Sequence, residues 1–509
     1  MLKRALALTL ALICCLSVFA GCNGGPGSNS GSGKAEVVAV PFAEKTTIQL
    51  YMNQNSLLEM EGCVVDKLIE AAINVDLDIV EMQTADQMLG MLAQRIVPDI
   101  TFDNGSDKGH AYGQKGAYIN IYDYMDYLPN VKKLYDKNPE VFKGREDENG
   151  ALYALPLVND TPTTTYCWIW RQDILEKHNL SIPTTQKEWE DTIKTLKSLY
   201  PSSYPFLLRN TYAYDNWWIN WGFKPYTGTG GSLVKQVDGT IQYPFIMPQY
   251  KEWLTYMRQL IVDGLLYEGW QDVGTNKWYE FFANDRSFVT FDKLDRVPYL
   301  QQNVGSVNPN AKFVASPAMA FGSNGLDGSY GKNESGGSYD FFIGNNKNLS
   351  NTLAFINWLY SEEAGVISNW GKEGETYTVD ESGNKNFTES ILANYQSTGL
   401  QTPALCPLIQ FDAYAAAQDP AVRESMAAVL PYAVHTYPGG TNFNAEEAQI
   451  IDVYKVAVNE KAKEFMAKFM LGDLDIEKDW DACVNELYSR GLQQVIDAHI
   501  SAFKRQGIG

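Results

Sequence analysis

Apolar and polar positions alternate from Thr47 to Met52, placing Ile48, Leu50 and Met52 on one face, and a period of two predicts a strand. A helical stretch to about Ala72 follows, then a strand over Val75 to Val80, a helix near Ala85 to Arg95 and a short strand from Asp99 to Phe102. This β-α-β-α-β order predicts a parallel sheet covered by helices. Such sheets bind ligands beyond the carboxyl ends of their strands. Asn53 and Asn55 follow the first strand, and Asp103 and Asn104 the third. All four are cleft candidates, although Asn and Asp are also ordinary turn formers.

Further along, Gly150 to Leu157 reads as a strand leading out of this first lobe, and Tyr166 to Trp170 as another apolar strand. Thr185 and Glu188 form a T-x-x-E capping box after Pro183, and Trp189, Ile193, Leu196 and Tyr200 then recur at helical spacing as a buried stripe. Phe281 to Lys293 reads as a helix end, a turn and a strand Ser287 to Phe291, with Asp292 and Lys293 where the strand stops. Gly322 to Ser338, rich in Gly, Ser and Asn, predicts a long loop. A strand DFFIG and a helix Ser350 to Tyr360 follow, the latter turning Leu353, Ile356, Leu359 and Tyr360 inward. The tail predicts two long amphipathic helices, about Ala445 to Met470 and Trp480 to Phe503.

One stretch fits neither period. Arg209 to Phe223 sets Tyr212, Tyr214, Trp217, Trp218, Trp221 and Phe223 around Asp215, Asn216 and Asn220. Rings with interspersed carboxamides and carboxylates suit a concave site, where flat faces stack on a ligand and polar groups bind its hydroxyls. The competing expectation is a loop whose aromatics fill a core.

The chain has 509 residues, which predicts two or more domains. A formal charge of −20 argues against nucleic-acid partners and against adhesion to anionic lipid. Lys3 and Arg4 precede an apolar run, Ala5 to Ala20, that ends at Gly21-Cys22. This is the pattern of a secretory signal peptide, too short for a transmembrane span. Phe19-Ala20-Gly21-Cys22 is similar to a bacterial lipobox, which would make residues 1–21 a lipoprotein signal and Cys22 the lipidated first residue of the mature chain; Phe19 departs from the usual aliphatic residue. Losing Lys3 and Arg4 takes the charge from −20 to −22. Residues 22–45 begin as a Gly/Ser tether, and about 20 such residues reach roughly 25 Å. Of seven cysteines, Cys14 and Cys15 leave with the signal, while Cys63, Cys167, Cys406 and Cys483 are scattered and read as buried small apolar residues first, disulfides second.

In order, PDI at Pro98 to Ile100, YALP at Tyr153 to Pro156, WIWRQDIL with the following IPTT and EW, NWLYSEEAG at Asn357 to Gly365, WGKEGETYT at Trp370 to Thr378 and GDLDIEKDWDACVNELYSRGL resemble the family 1 extracellular solute-binding proteins of bacterial ABC importers, the group that includes maltose-binding protein, and above all its long lipoprotein branch. The resemblance covers nearly all of the mature chain and rests on order and spacing. It implies an α/β fold of two lobes, each a sheet flanked by helices, closing on a ligand about a hinge. Carried onto this sequence, lobe 1 takes 46–160 and 290–338 and lobe 2 takes 161–289 and 339–509, with crossings near Val158 to Asp160, Thr290 to Asp292 and Ser338 to Asp340. It further implies an oligosaccharide ligand, ABC permease subunits as partners, a monomer lipid-anchored at Cys22 on the extracytoplasmic face of the cell membrane, and no cofactor, metal or catalysis.

For the ligand, Trp217 and Trp218 are expected as stacking platforms with Asp215 beside them, Trp370 as a second platform with Glu373 a turn beyond, and Tyr339 at a crossing. Asn53, Asp103 and Asp292 are expected to meet hydroxyls from the first lobe. Trp370 could equally cap the preceding helix. Catalytic signatures fail: the four histidines lack HExxH spacing, no G-x-S-x-G elbow occurs, GSYGKNESGG is not a P-loop, and neither REDENG nor DESGNK is an EF-hand loop. Two rivals remain. A secreted glycoside hydrolase could draw a carboxylate pair from 61 Asp and Glu residues, but the chain lacks the eightfold βα repetition of a barrel. A binding protein for a non-sugar solute such as a peptide is the other.

Overall fold

The computed structural model describes residues 35–52, 60–81, 90–91, 94, 96–104, 106–159, 165–209, 217–225, 234–235, 241–332, 335–436, 441 and 443–505. Cys22, Asn53, Asn55 and Asp215, and most of the helix expected near Ala85 to Arg95, lie outside the described residues. The principal strands are β1 (Thr46–Met52), β2 (Val75–Glu81), β3 (Ile100–Asn104), β4 (Ala154–Asn159), β5 (Tyr166–Arg171), β6 (Val289–Lys293), β7 (Phe313–Ser316), β8 (Ser329–Lys332), β9 (Ser335–Ile343), β10 (Leu408–Ile409) and β11 (Ala433–Thr436).

Six of them make one sheet in the order β10-β4-β9-β3-β1-β2. β1 runs parallel to β2 and β3, as its alternation and the β-α-β order predict, and Ile48, Leu50 and Met52 are its buried face. β9 runs antiparallel between β3 and β4. A second, antiparallel sheet has the order β7-β5-β6. β8 pairs with β11.

These pairings correct the expected division of the chain. β6 and β7 belong with β5, so 290–338 is not a piece of the first lobe. β9 and β10 lie in the six-stranded sheet, so the second lobe does not resume at 339. Thr290 to Asp292 lies inside β6 and Ser338 to Asp340 inside β9; neither is a crossing. The reason is tertiary: β6 is buried between two aromatic clusters, and Asp340, polar as it is, sits opposite Asp103 in β3. The chain leaves the six-stranded sheet after Asn159 for β5, returns to it from β8 between Lys332 and Ser335, and leaves it again at Gln410, where β10 gives way to the helix Phe411–Ala416.

Local signals hold where they are strong. Thr185 Oγ1 accepts the Glu188 N–H at 3.2 Å, while the Glu188 carboxylate reaches back to the N–H of Thr184 at 2.8 Å, one residue earlier than a capping box requires. Trp189, Ile193 and Leu196 of the helix it opens are fully buried. Leu353, Ile356, Leu359 and Tyr360 turn inward as expected. Cys63, Cys167, Cys406 and Cys483 are free and buried.

Two expectations fail for reasons of geometry. The last helix breaks into Trp480–Ser489 and Leu492–Arg505 at Gly491, whose φ of 98° suits only glycine and whose absent Cβ would lie 2.3 Å from Tyr454. The loop from Gly322 to Ser338 contains β8 and the start of β9 instead, because β11, a hundred residues later in the chain, offers β8 a backbone partner.

β5 is buried on both faces. Tyr166, Trp168 and Trp170 face one cluster, and Cys167 and Ile169 another with Trp278, Phe281 and Phe313. The first cluster takes in Trp217 and Trp218 and corrects their expected role as open platforms. Trp217 is fully buried, its ring edge-on to Trp168 at 5.5 Å and to Phe321 at 5.1 Å. Trp218 is buried against Tyr250 at 5.2 Å and Trp253 at 5.9 Å. Rings that no single period could bury are buried because they lie between the sheet and the helices Gln186–Leu199 and Pro248–Val262. Asn220 is structural too, its Nδ2 donating to the carbonyls of Leu326 at 2.8 Å and Gly328 at 3.2 Å.

Trp217→Ala is therefore expected to lower stability by about 3–5 kcal/mol, read as an earlier denaturant midpoint whether or not ligand is present. A second expectation concerns His499, buried against Phe443 and hydrogen-bonded through Nδ1 to the Val495 carbonyl at 2.7 Å. Burial pulls its pKa from 6.5 to about 4, so the unfolded chain binds the extra proton first. Stability should fall as pH drops from about 6.5 to about 4, and melting curves of His499→Gln across that window should lack this component.

Candidate functional site

In the six-stranded sheet, the chain moves from β1 to β2 on one side and then to β3 on the other. That reversal puts a crevice beyond the carboxyl ends of β1 and β3. The carboxyl end of β4 and the amino end of β9 share this edge, since β4 runs parallel to β3 and β9 antiparallel to both.

Asp103, one residue from the end of β3, is buried directly opposite Asp340 of β9. Facing carboxylates repel unless a cation answers them. Arg145 does so: its Nε donates to Asp340 Oδ1, and its Nη1 donates to the Val141 carbonyl at 3.0 Å. Burial nevertheless holds the Asp340 carboxyl above its usual pKa, since Arg145 offsets only part of the desolvation. Tyr118, burial of which lifts its phenol to about 12, donates to Thr101 Oγ1 on the same face at 3.2 Å. Tyr339 leaves β9 on the opposite face, half-buried and stacked on Phe102 at 5.2 Å. Asp103 and Tyr339 thus share an edge but not a face.

The second sheet presents the amino end of β5 and the carboxyl end of β6. Here Asp292 is almost closed from solvent and holds Arg209 in a bidentate pair, Nε to Oδ2 at 2.8 Å and Nη2 to Oδ1 at 3.1 Å. Asp292 Oδ1 also accepts the N–H of Lys293 at 2.8 Å. Its carboxylate is thus satisfied by the protein, and Arg209, 16% exposed, lies over the buried Trp278 ring at 5.5 Å. Next along the chain, Arg296 donates to both oxygens of Asp295 at 2.9 and 3.3 Å and lies 4.7 Å over Tyr299, 46% of which is exposed. Tyr279 stands within electrostatic reach of Arg209, Arg296 and Asp292, and Tyr414 of Asp295 and Arg296. Tyr414 sits on the helix that follows Gln410 directly, so this cluster adjoins the passage from the first sheet.

Trp370 and Glu373 do not join either edge cluster. Trp370 ends the helix Glu362–Asn369 and is buried, stacked on Phe387 at 4.8 Å and near Tyr377 at 5.8 Å. Its carbonyl accepts Thr376 Oγ1–H at 2.6 Å, which closes the turn. Glu373 is exposed in that turn. The indole is a cap and a core residue, not an open platform. Among the described residues, no three His, Cys, Asp or Glu side chains are grouped so as to hold a metal ion.

Sequence reasoning missed Arg145, Arg209, Arg296, Tyr279 and Tyr299. A signal existed for two of them: Arg296 closes FDKLDR, a run of charges directly after a strand, and Arg209 opens the aromatic stretch. Arg145 lies in an ordinary charged turn 195 residues from its partner.

Residues 64–374, more than half of the chain, match the bacterial extracellular solute-binding protein family. The fructooligosaccharide ABC transporter substrate-binding protein FusA of Streptococcus pneumoniae is 24% identical over 399 residues, 73% of this chain and 71% of its own. The polygalacturonan/rhamnogalacturonan-binding protein YtcQ of Bacillus subtilis is 23% identical over 471 residues, 86% of this chain and 88% of its own. Among solved structures, alginate-binding protein AlgQ2 without calcium superposes with a TM-score of 0.67 at 22% identity, covering 92% of this chain and all of that one, and shares its two-domain fold. By the family match and this fold, the chain belongs to the bacterial extracellular solute-binding proteins.

Proposed function

We propose that this protein captures an oligosaccharide between its two sheet-bearing lobes outside the cell and delivers it to the permease of an ABC importer. The observation that carries this reading is the pair of strand edges joined by short passages: Asp103 and Tyr339 on one, the Arg209–Asp292 pair and Tyr299 on the other. Oriented carboxylate and guanidinium groups reward hydroxyls in the right geometry, and rings desolvate the C–H faces of a sugar. The names of FusA and YtcQ support saccharides as the class and span both uncharged and acidic ones. Closure of the lobes on the ligand buries it and reports occupancy to the permease. The mature chain works as a monomer held to the membrane by lipid at Cys22, for which the lipobox is the support. Among the described residues no helix is long and apolar enough to cross a membrane.

Calorimetry of the mature chain against an oligosaccharide panel, with product analysis of the same samples, is expected to show saturable binding, a negative heat-capacity change and recovery of the sugar intact. Small-angle scattering should show a more compact particle with ligand. New reducing ends would establish hydrolysis in place of transport. Cys22→Ser is expected to shift the protein from the membrane fraction to the medium, as read by fractionation of expressing cells.

A further inference from the structure

We infer that the saccharide is uncharged, and that the Arg209–Asp292 pair at the end of β6 makes that choice. This rests on the proposed oligosaccharide function and narrows its substrate class. Sugar acids are bound by open guanidinium forks, which take a carboxylate with two parallel hydrogen bonds. Among the described residues, the arginines at the two strand edges already answer carboxylates. Asp292 engages Arg209 through both oxygens, Asp295 engages Arg296 through both oxygens, and Asp340 engages Arg145.

Asp292 is the decisive partner because it cannot step aside. It is buried to 2% exposure and fixed by the Lys293 N–H as well as by Arg209. A uronate displacing Asp292 would leave a buried carboxylate unpaired, and one taking the remaining Nη donors would meet a guanidinium already neutralised, beside that carboxylate. Arg209 keeps further N–H donors beyond the two given to Asp292, on a guanidinium whose charge is neutralised and whose plane is held. That is a donor for hydroxyl oxygens. Tyr299, 46% exposed and paired with Arg296, supplies a ring on the helix that follows β6. Lys293 adds one ammonium at this edge, but it has no fork.

The long-range field acts in the same direction. The mature charge of −22 (−20 less Lys3 and Arg4) repels a polyanion along its whole approach.

The test titrates the mature chain with neutral oligosaccharides and with uronate oligomers of the same length, galacto- against galacturono- and manno- against mannurono-, in low salt and at about 0.15 M salt. Binding confined to neutral sugars, with affinity unmoved by salt, is expected. Asp292→Asn, checked for an unchanged melting curve, should weaken the neutral ligand about tenfold and admit the uronate by freeing the Arg209 fork. Should that variant unfold, Tyr299→Ala on the open ring should still weaken the neutral ligand about tenfold. A salt-sensitive affinity of the unaltered chain for uronates would overturn the inference and leave oligosaccharide capture standing. Binding of peptides with no saccharide bound would overturn both.

Discussion

The strand Tyr166–Arg171 is buried on both of its faces, and the second lobe depends on that constraint. A strand with water on neither side needs an apolar layer above and below it. One layer is the tryptophan cluster of Trp168, Trp189 and Trp217; the other gathers Trp278, Phe281, Phe282 and Phe313. The same constraint fixes the neighbouring strand β6, and with it the position where Asp292 ends up. At the far end of β5, Arg171 is buried and closed by Asp173 and Asp285, so the strand is pinned there by charge and along its length by rings.

Burial also explains why the edge carboxylates come with arginines. Asp292 lies near the end of β6, Asp340 inside β9 and Asp295 two residues past β6; the first two are buried, where an isolated carboxylate would be costly. Each is answered by a guanidinium, two of them through both carboxylate oxygens. Such pairs add little net stability but hold polar groups in one orientation. A site that must recognise the directions of hydroxyl groups needs that property more than it needs raw charge.

Three connections enter or leave the six-stranded sheet: one leads to β5, one comes from β8 and one leads to the helix Phe411–Ala416. Gln410 illustrates the economy of this arrangement. Its N–H is accepted by Asn369 in the first lobe at 2.8 Å, and the helix that follows brings Tyr414 to the Arg296 cluster of the second.

Periodicity alone determined β1 with its buried Ile48, Leu50 and Met52, the parallel start of the first sheet, the Trp189 helix and the long tail helix, because each depends on residues within a few turns of one another. Residue order determined the family resemblance and the two-lobed class. Tertiary structure decided the rest. Whether Trp217 and Trp218 lie open or covered depends on helices whose contacting residues are up to 39 positions away, and no local period records that. Which lobe holds β6, β7 and β9 depends on strand partners more than a hundred residues distant. Asp292 looked like a free hydroxyl partner in the sequence and is instead the buried base of Arg209, since an ion pair between residues 83 apart leaves no trace in the chain until it folds.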